Sequence, residues 1–314
     1  MRILAVKTHA FGDALLTTPA VRGLIQAGHS VTVVAGPSSA AVWERFPGLE
    51  GVMVSPAPCG FVRLFRWSVA NRKAGFQKAI HFGSSRKAAV WTRFMAGCPV
   101  VSGSDPSVGF GLVEPAAADY CRIAGVKAGD LNPVFPVSER ESAFADRLID
   151  GSPCAVLAPG GGRNPREFVP EKRWPMERWN AVSSMLMSRG MRVFVVGGPE
   201  DAEDISGVPG IHLAGKLTWG QTAALIAGAE LFFGNDSGPA HLAVSASVPA
   251  VVLFGPTKPG ALYPQGSIVP VASRAGCSPC YSNSVFPGCS RGRSCMEDIS
   301  VETVMNTIEG ILSR

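Results

Sequence analysis

The stretch that decides the fold is Phe233-Gly234-Asn235-Asp236-Ser237-Gly238-Pro239-Ala240-His241, followed by Pro249-Ala250-Val251-Val252-Leu253-Phe254-Gly255-Pro256-Thr257. Residues 231–234 read as a short buried strand and Asp236-Ser237-Gly238-Pro239 as a turn that opens a helix. Residues 250–254 read as the next strand, with Gly255-Pro256-Thr257 as its exit loop. Strand, turn, helix, strand and loop in that order form an α/β unit. A helix start of this kind offers free backbone N–H groups and the positive end of a dipole, a natural seat for phosphate. His241 falls one turn into the helix, where it can face that seat.

This stretch resembles glycosyltransferase family 9, whose best-known members are the heptosyltransferases of lipopolysaccharide core assembly. The resemblance rests on D-S-G-P-A-H-L-A at 236–243 and P-A-V-V-L-F-G-P-T at 249–257. A second block agrees with it at the amino terminus: Val6-Lys7-Thr8 and Gly12-Asp13-Ala14-Leu15-Leu16-Thr17-Thr18-Pro19-Ala20. The resemblance covers nearly the whole chain and implies an α/β protein of GT-B architecture, with two Rossmann-like domains facing a central cleft.

A length of 314 residues suits two domains, and 46% hydrophobic against 17% charged residues provides for a sizeable core. No 18-residue apolar run occurs, because Glu230, Asp236 and His241 break the most apolar region, so a transmembrane helix is not expected. The opening residues are too short for a signal sequence and read as a first strand, which predicts a cytoplasmic protein. A net charge of +5 fits a protein that handles phosphorylated sugars or visits an anionic membrane surface. No RNA- or DNA-binding motif is present.

In the first half, strands are expected over 2–6, 30–35, 52–55, 78–82 and 100–102, with a helix over 13–27 that Pro19 should bend or restart. The alternation implies a parallel sheet covered by helices. Between these strands Phe61-Val62-Arg63-Leu64-Phe65-Arg66-Trp67, continuing to Arg72-Lys73, reads as a basic aromatic helix. It has two readings of about equal weight. One is an ordinary amphipathic helix with solvated arginines. The other is a site for an anionic acceptor near a membrane surface, to which Arg86 and Lys87 would also belong. The resemblance favours the second, since related heptosyltransferases turn amino-terminal-domain basic residues toward the acceptor. Residues 126–153, rich in Gly, Pro, Asp and Ser, read as the interdomain crossing. The expected domains are residues 1–150, which take the acceptor, and residues 151–314, which take the nucleotide sugar and include the cysteine loop and a terminal helix.

The second half restarts the pattern. A strand over 154–158 runs into Pro159-Gly160-Gly161-Gly162-Arg163-Asn164, whose glycines let backbone amides approach phosphate oxygens. A plain turn explains such a loop equally well. It is neither a Walker loop nor a dinucleotide fingerprint, which disfavours ATP hydrolysis and NAD-dependent dehydrogenation. Further strands are expected over 192–196 and 211–213, and helices over 177–188, 221–227 and 301–312.

The resemblance assigns the site residues. A lysine ahead of Trp-Pro binds donor phosphate in the family, and Lys172 matches it, although the loop over 164–171 is longer here than in simpler members. Glu200 matches an acidic position that meets the nucleoside. Lys216, Leu217 and Thr218 match the loop that flanks the base, with Thr218 also able to act as a plain helix cap. Gly160, Gly161, Arg163, Asp236, Ser237, Gly238 and His241 complete the donor set. Asp13 is the expected general base; the alternative is that it merely caps the following helix. Lys7 would align Asp13 or the donor. No acidic pair has metal-binding spacing, so metal-independent transfer is expected; the resemblance implies inversion at the anomeric carbon and transfer of heptose from ADP-heptose to a glycolipid acceptor of the lipopolysaccharide core at the inner membrane. Alternatives are another nucleotide sugar or acceptor within the family, or a sugar-nucleotide-binding module without catalysis.

Of the eight cysteines, Cys59, Cys98, Cys121 and Cys154 are scattered and read as small core residues. Cys277, Cys280, Cys289 and Cys295 form C-x2-C-x8-C-x5-C. Four thiolates so spaced can hold a structural zinc or iron; free thiols are the competing reading. The loop is distant from the motif blocks in the chain and is assigned no catalytic part.

Overall fold

The computed structural model describes residues 1–56, 61–72, 75–161, 163–164, 167–281 and 286–313. Cys59, Lys73, Gly162 and the side chain of Arg163 lie outside the described residues. The chain forms two units, Met1–Phe135 and Pro136–Arg314.

The first unit runs β1 (Arg2–Lys7), α1 (Phe11–Gln26), β2 (Ser30–Ala35), α2 (Ala40–Trp43), β3 (Gly51–Val54), α3 (Phe61–Asn71), β4 (Lys78–His81), α4 (Arg86–Ala96), β5 (Val100–Ser102) and α5 (Ala116–Ala124). Its sheet is parallel in the order β3-β2-β1-β4-β5. β1 and β2 are apolar and buried nearly throughout, as strands covered on both faces must be. The strand order reverses direction between β1 and β4, the position where ligands meet open α/β sheets.

Pro19 does not break α1, which is continuous from Phe11 to Gln26. Proline removes the N–H that would reach the carbonyl of Leu15, and the Thr18 hydroxyl donates to that carbonyl instead, at 2.6 Å. The same hydroxyl accepts the backbone N–H of Val134 at 2.8 Å, so the substitution for a backbone donor also ties down the end of the unit.

The second unit contains α6 (Glu139–Ile149), β6 (Cys154–Ala158), the short hairpin β7 (Arg163–Asn164) and β8 (Glu167–Phe168), α7 (Met176–Ser188), β9 (Arg192–Val195) and β10 (Ile211–His212). It continues with α8 (Trp219–Ala227), β11 (Leu231–Asn235), α9 (Gly238–Ser245), β12 (Ala250–Phe254), α10 (Pro259–Leu262), β13 (Val269–Ala272), α11 (Ser294–Glu297) and α12 (Val301–Leu312). Its main sheet is parallel in the order β10-β9-β6-β11-β12-β13. The reversal falls between β6 and β11, between the Gly-rich loop and the Asp236-Ser237 turn.

The division lies earlier than the expected 150/151 boundary because the supposed crossing contains α6. Ser138 and Glu141 form a reciprocal capping box at its start, Ala145 and Ile149 are buried, and the helix packs on α8. After β6, β7 pairs antiparallel with β8, and a 3-10 turn, Pro170–Lys172, follows.

The core of the second unit centres on Trp174, Trp179 and Phe233, with Trp179 and Phe233 centroids 4.3 Å apart. The indole N–H of Trp174 donates to the carbonyl of Ile299 at 2.9 Å, and Arg178 reaches the carbonyls of Glu297 and Ile299. α12 packs on α7, β12 and β13, burying Val304, Met305 and Ile308. Among the described residues no helix is long and apolar enough to cross a membrane.

Candidate active site

In the first unit the site lies where β1 and β4 end. Lys7, the last residue of β1, is buried, and its ammonium donates to the hydroxyl of Tyr120 at 2.8 Å and to the carbonyl of Phe82 at 3.3 Å. Its Nζ is 3.6 Å from Oδ2 of Asp13, whose side chain is 49% exposed. Burial pulls the Lys7 pKa down, but the Asp13 carboxylate and Tyr120 outweigh it and hold the group above its ordinary value. Burial also raises Tyr120, so a protonated phenol faces a charged lysine. Asp13 sits within the first turn of α1 rather than on a Gly12 turn before it. The N-cap is Ala10, with no side-chain cap bond, so the capping alternative for Asp13 is not what is observed. One carboxylate thus stands partly in solvent beside a buried cation.

In the second unit the Gly-rich loop and the start of α9 are drawn together. Asn235, at the end of β11, donates its amide to the carbonyls of Pro159 and Gly160 at 2.6 and 3.1 Å. Gly161 has φ of +105°, and a Cβ there would lie 2.9 Å from Cβ of Ser237, so glycine is needed for both conformation and clearance. Arg173 is buried and donates to the Gly161 carbonyl at 2.9 Å while pairing with Asp201 and Asp204. The loop carrying Gly160 and Gly161 is therefore fixed from three sides beside Ser237 and Gly238, at the amino end of a helix.

Lys172 and Asp236 form an ion pair at 3.0 Å. The other carboxylate oxygen of Asp236 accepts the Tyr263 hydroxyl at 3.0 Å, and His241 stacks on Tyr263 with centroids 4.6 Å apart. Burial pushes the Asp236 carboxyl up, but Lys172, His241 and the Thr257 hydroxyl more than compensate and keep it below the usual range. Tyr263 is raised well above its ordinary value by burial and by Asp236, so it remains a donor. Asp236 is thus a buried anchor, and His241 turns its ring face to Tyr263.

Glu200 lies exposed in a 3-10 turn, Pro199–Asp201, after β9. The loop at 215–218 is joined to that region by a hydrogen bond from Gly215 N–H to the Gly197 carbonyl at 3.0 Å. Lys216 donates to the His212 carbonyl at 2.9 Å, and Thr218 caps α8 in a box with Gln221. The cap reading of Thr218 is observed, and it leaves the loop backbone in place beside Glu200. Arg63 and Arg66 on α3 and Arg86 and Lys87 on α4 are all exposed, and the two helices pack against each other.

The cysteine loop lies against the exit of β12. Cys280 and Tyr281 both donate their N–H groups to the carbonyl of Pro256, at 3.0 and 2.7 Å, and the Ser278 hydroxyl reaches the carbonyl of Gly255. The Tyr281 ring is 5.2 Å from Nζ of Lys172. Distance in the chain had concealed this contact. Burial, with help from the thiols of Cys277, Cys280 and Cys289, raises the Cys295 thiol to about 11. Each of Cys277, Cys280 and Cys289 thus lies near enough to act on the Cys295 thiol. Among the described residues no three His, Cys, Asp or Glu converge closely enough to grip an ion as they stand. Soft sulfur donors are nonetheless the right chemistry for zinc or iron.

Tyr120, Arg173, Tyr263 and Tyr281 were not singled out in the sequence. No local spacing marks them; each becomes part of a site only through the fold.

Two parallel sheets, each with its polar residues at the reversal of strand order, define a protein of GT-B architecture. The chain belongs to glycosyltransferase family 9 (heptosyltransferase), whose model matches residues 112–287. Lipopolysaccharide heptosyltransferase 1 of Pseudomonas aeruginosa is 25% identical over 319 residues, covering 89% of this chain and 86% of that one. Lipopolysaccharide heptosyltransferase 3 of Escherichia coli is 38% identical over 96 residues, a match spanning 27% of this chain and only 28% of that protein. Among solved structures, E. coli ADP-heptose lipopolysaccharide heptosyltransferase II superposes with a TM-score of 0.78 at 20% identity, covering 99% of this chain and 98% of that one. An iron-containing dodecameric glycosyltransferase from enterotoxigenic E. coli gives 0.69 at 16% identity, covering 99% and 76%.

Proposed function

We propose that the protein is an inverting glycosyltransferase that moves heptose from ADP-heptose to a lipopolysaccharide core acceptor met at the inner membrane surface. The observation that carries this reading is the fixed loop of Gly160 and Gly161 against the start of α9, with Lys172 held beside it. Such a seat suits a nucleoside diphosphate. The full-length relatives supply the sugar and the acceptor class.

Asp13 takes the proton of the acceptor hydroxyl, and that oxygen attacks the anomeric carbon. The bond to the diphosphate breaks, and ADP leaves with the electron pair. Lys7, braced by Tyr120, orients Asp13. The ammonium of Lys172 has three N–H bonds; Asp236 takes one, leaving the others for the diphosphate. Glu200 and the backbone at Lys216, Leu217 and Thr218 meet the nucleoside, while Arg63, Arg66, Arg86 and Lys87 meet anionic groups of the acceptor. Transfer itself needs no cofactor. Cys277, Cys280, Cys289 and Cys295 hold a structural zinc or iron, a reading supported by the nearness of the first three to the Cys295 thiol and by the iron-containing relative.

Incubation with ADP-heptose and a heptose-deficient core lipid tests the proposal. ADP release that requires both substrates is expected. Stabilisation by UDP- or GDP-sugars in place of ADP-sugars would reassign the donor, and donor binding without transfer to any core acceptor would favour a binding module.

A further inference from the structure

Residues 51–104 contain eight lysines and arginines and not one aspartate or glutamate. Within this stretch α3 and α4 pack together through two stacked pairs, Phe65 with Phe94 at 5.6 Å and Trp67 with Trp91 at 6.1 Å. The Trp91 indole also donates to the Ser68 hydroxyl at 2.9 Å. Those contacts fix the relative rotation of the helices. They leave large apolar side chains outside: Val62 is 64% exposed, Phe65 45%, Val69 48%, Val90 70% and Phe94 37%. Val62, Phe65 and Val69 are spaced three and four apart, so they line one side of α3, and Val90 and Phe94 lie one turn apart on α4. Single exposed apolar residues are ordinary, but five on two adjoining helices make a patch that calls for a partner.

We propose that α3 and α4 together form a docking face for an anionic phospholipid bilayer. Val62, Phe65, Val69, Val90 and Phe94 enter the boundary between headgroups and acyl chains, and the surrounding Arg and Lys side chains meet the phosphates. Recognition of an acceptor sugar explains exposed arginines but gives no reason for exposed valines and phenylalanines. A bilayer surface explains both, since basic residues around an apolar face are the composition that lies in the plane of an anionic membrane. A second copy of the chain is a poorer occupant, because the same face on both partners would bring two sets of cations together without a single carboxylate from this stretch. The inference deepens the reading of a membrane-borne acceptor, yet its test uses vesicles that contain no acceptor and so stands apart from the transferase reading.

Co-sedimentation with vesicles of phosphatidylcholine alone, and of phosphatidylcholine with phosphatidylglycerol, decides it. The wild type should sediment with the anionic vesicles, less so as salt is raised, and little with the neutral ones. The double variant V62S/V90S alters the two most exposed side chains and should keep the wild-type thermal midpoint. It should partition about 10-fold less, the loss expected when two buried apolar groups are removed. Equal sedimentation of the variant and wild type with anionic vesicles would overturn the proposal, as would failure of the wild type to sediment. Light scattering that shows a wild-type dimer lost in V62S/V90S, without vesicle binding, would assign the face to self-association instead.

Discussion

Lys172 and Asp236 are 64 positions apart in the chain, yet their side chains meet at 3.0 Å, with the carboxylate completed by Tyr263. Lys172 is therefore held by the aspartate that stands just before α9. Removing one member of a buried ion pair strands the other. Asp236→Ala should cost about 3–5 kcal/mol of stability, and the paired change Lys172→Met with Asp236→Leu should cost less than that single change. Urea unfolding of the wild type and the two variants measures this; a paired variant that loses as much as Asp236→Ala would show that stranding the lysine is not the cause.

The same pair sets an acid limit. The folded pKa of Asp236 is depressed, so its contribution is present above the ordinary carboxylate value of 3.8 and is lost as pH falls below it toward the folded value. At neutral pH Lys172→Ala should weaken ADP binding by about 1.5–3 kcal/mol. An unchanged dissociation constant in calorimetry would mean that Lys172 serves Asp236 alone.

Asp13 pairs with Lys7 at 3.6 Å, but unlike the buried Asp236 it keeps its side chain partly in solvent. It makes no cap bond, and its side chain is half exposed. Asp13→Asn should leave the thermal midpoint and ADP affinity close to wild type while lowering kcat by about 10²–10⁴-fold. Near-normal turnover would remove it from the role of base.

His81 ends β4, its Nδ1 lying 3.1 Å from the Ser102 hydroxyl. Burial, reinforced by the charge of Lys7, lowers its pKa from 6.5 to about 4. Below pH 6.5 the unfolded chain takes up a proton that the folded chain refuses, so stability falls as pH drops from 6.5 toward 4 and is fully retained above that window. Between pH 7 and 4.5 the loss from this one residue should be about 2–3 kcal/mol. The comparison is with His81→Asn, which should lose correspondingly less over the same interval; parallel pH profiles would refute the assignment.

The cysteine loop and Lys172 should respond to each other through Tyr281. Elemental analysis of protein purified without added metal or chelator should find about one zinc or iron per chain, the yield of a site tied by four thiolates. Cys280→Ser should lose the ion and open residues 277–295 to protease. Tyr281→Leu, which removes the ring 5.2 Å from the Lys172 ammonium, should raise the KM for the donor with little change in kcat, whereas Tyr281→Phe should not. Well under one equivalent of metal would reject a tightly held ion, and equal KM values for the two Tyr281 variants would reject the ring contact.

Much of the architecture was readable because parallel strands buried on both faces announce themselves as short apolar runs. The strands over 30–35, 100–102, 154–158 and 250–254 fall where the runs predict. α6 escaped because its surface is charged and Gly and Pro crowd around it, although Ser138 and Glu141 spelled out its capping box. The continuity of α1 through Pro19 could not be foreseen, since it depends on where the Thr18 hydroxyl points. Of the site, the positions on loops after strands were legible from their motifs. The partners that fix their geometry were not: Tyr120 and Tyr263 reach Lys7 and Asp236 only after distant elements have packed.

The bond from the Trp174 indole to the carbonyl of Ile299 has a consequence for the order in which the protein is made. Every strand of the first sheet has been synthesised by residue 102 and its last helix by residue 124, so that unit can close while much of the second is still being translated. The second unit is different. Its tryptophan pair is synthesised first, but Ile299, Val304, Met305 and Ile308, which cover the flank of that core, come only with α12 and the turn before it. During the interval the nascent chain carries an open aromatic surface. The second unit is complete only once α12 has been made, and a ribosome that stalls before Ile299 leaves a finished first unit joined to a second that chaperones must shield.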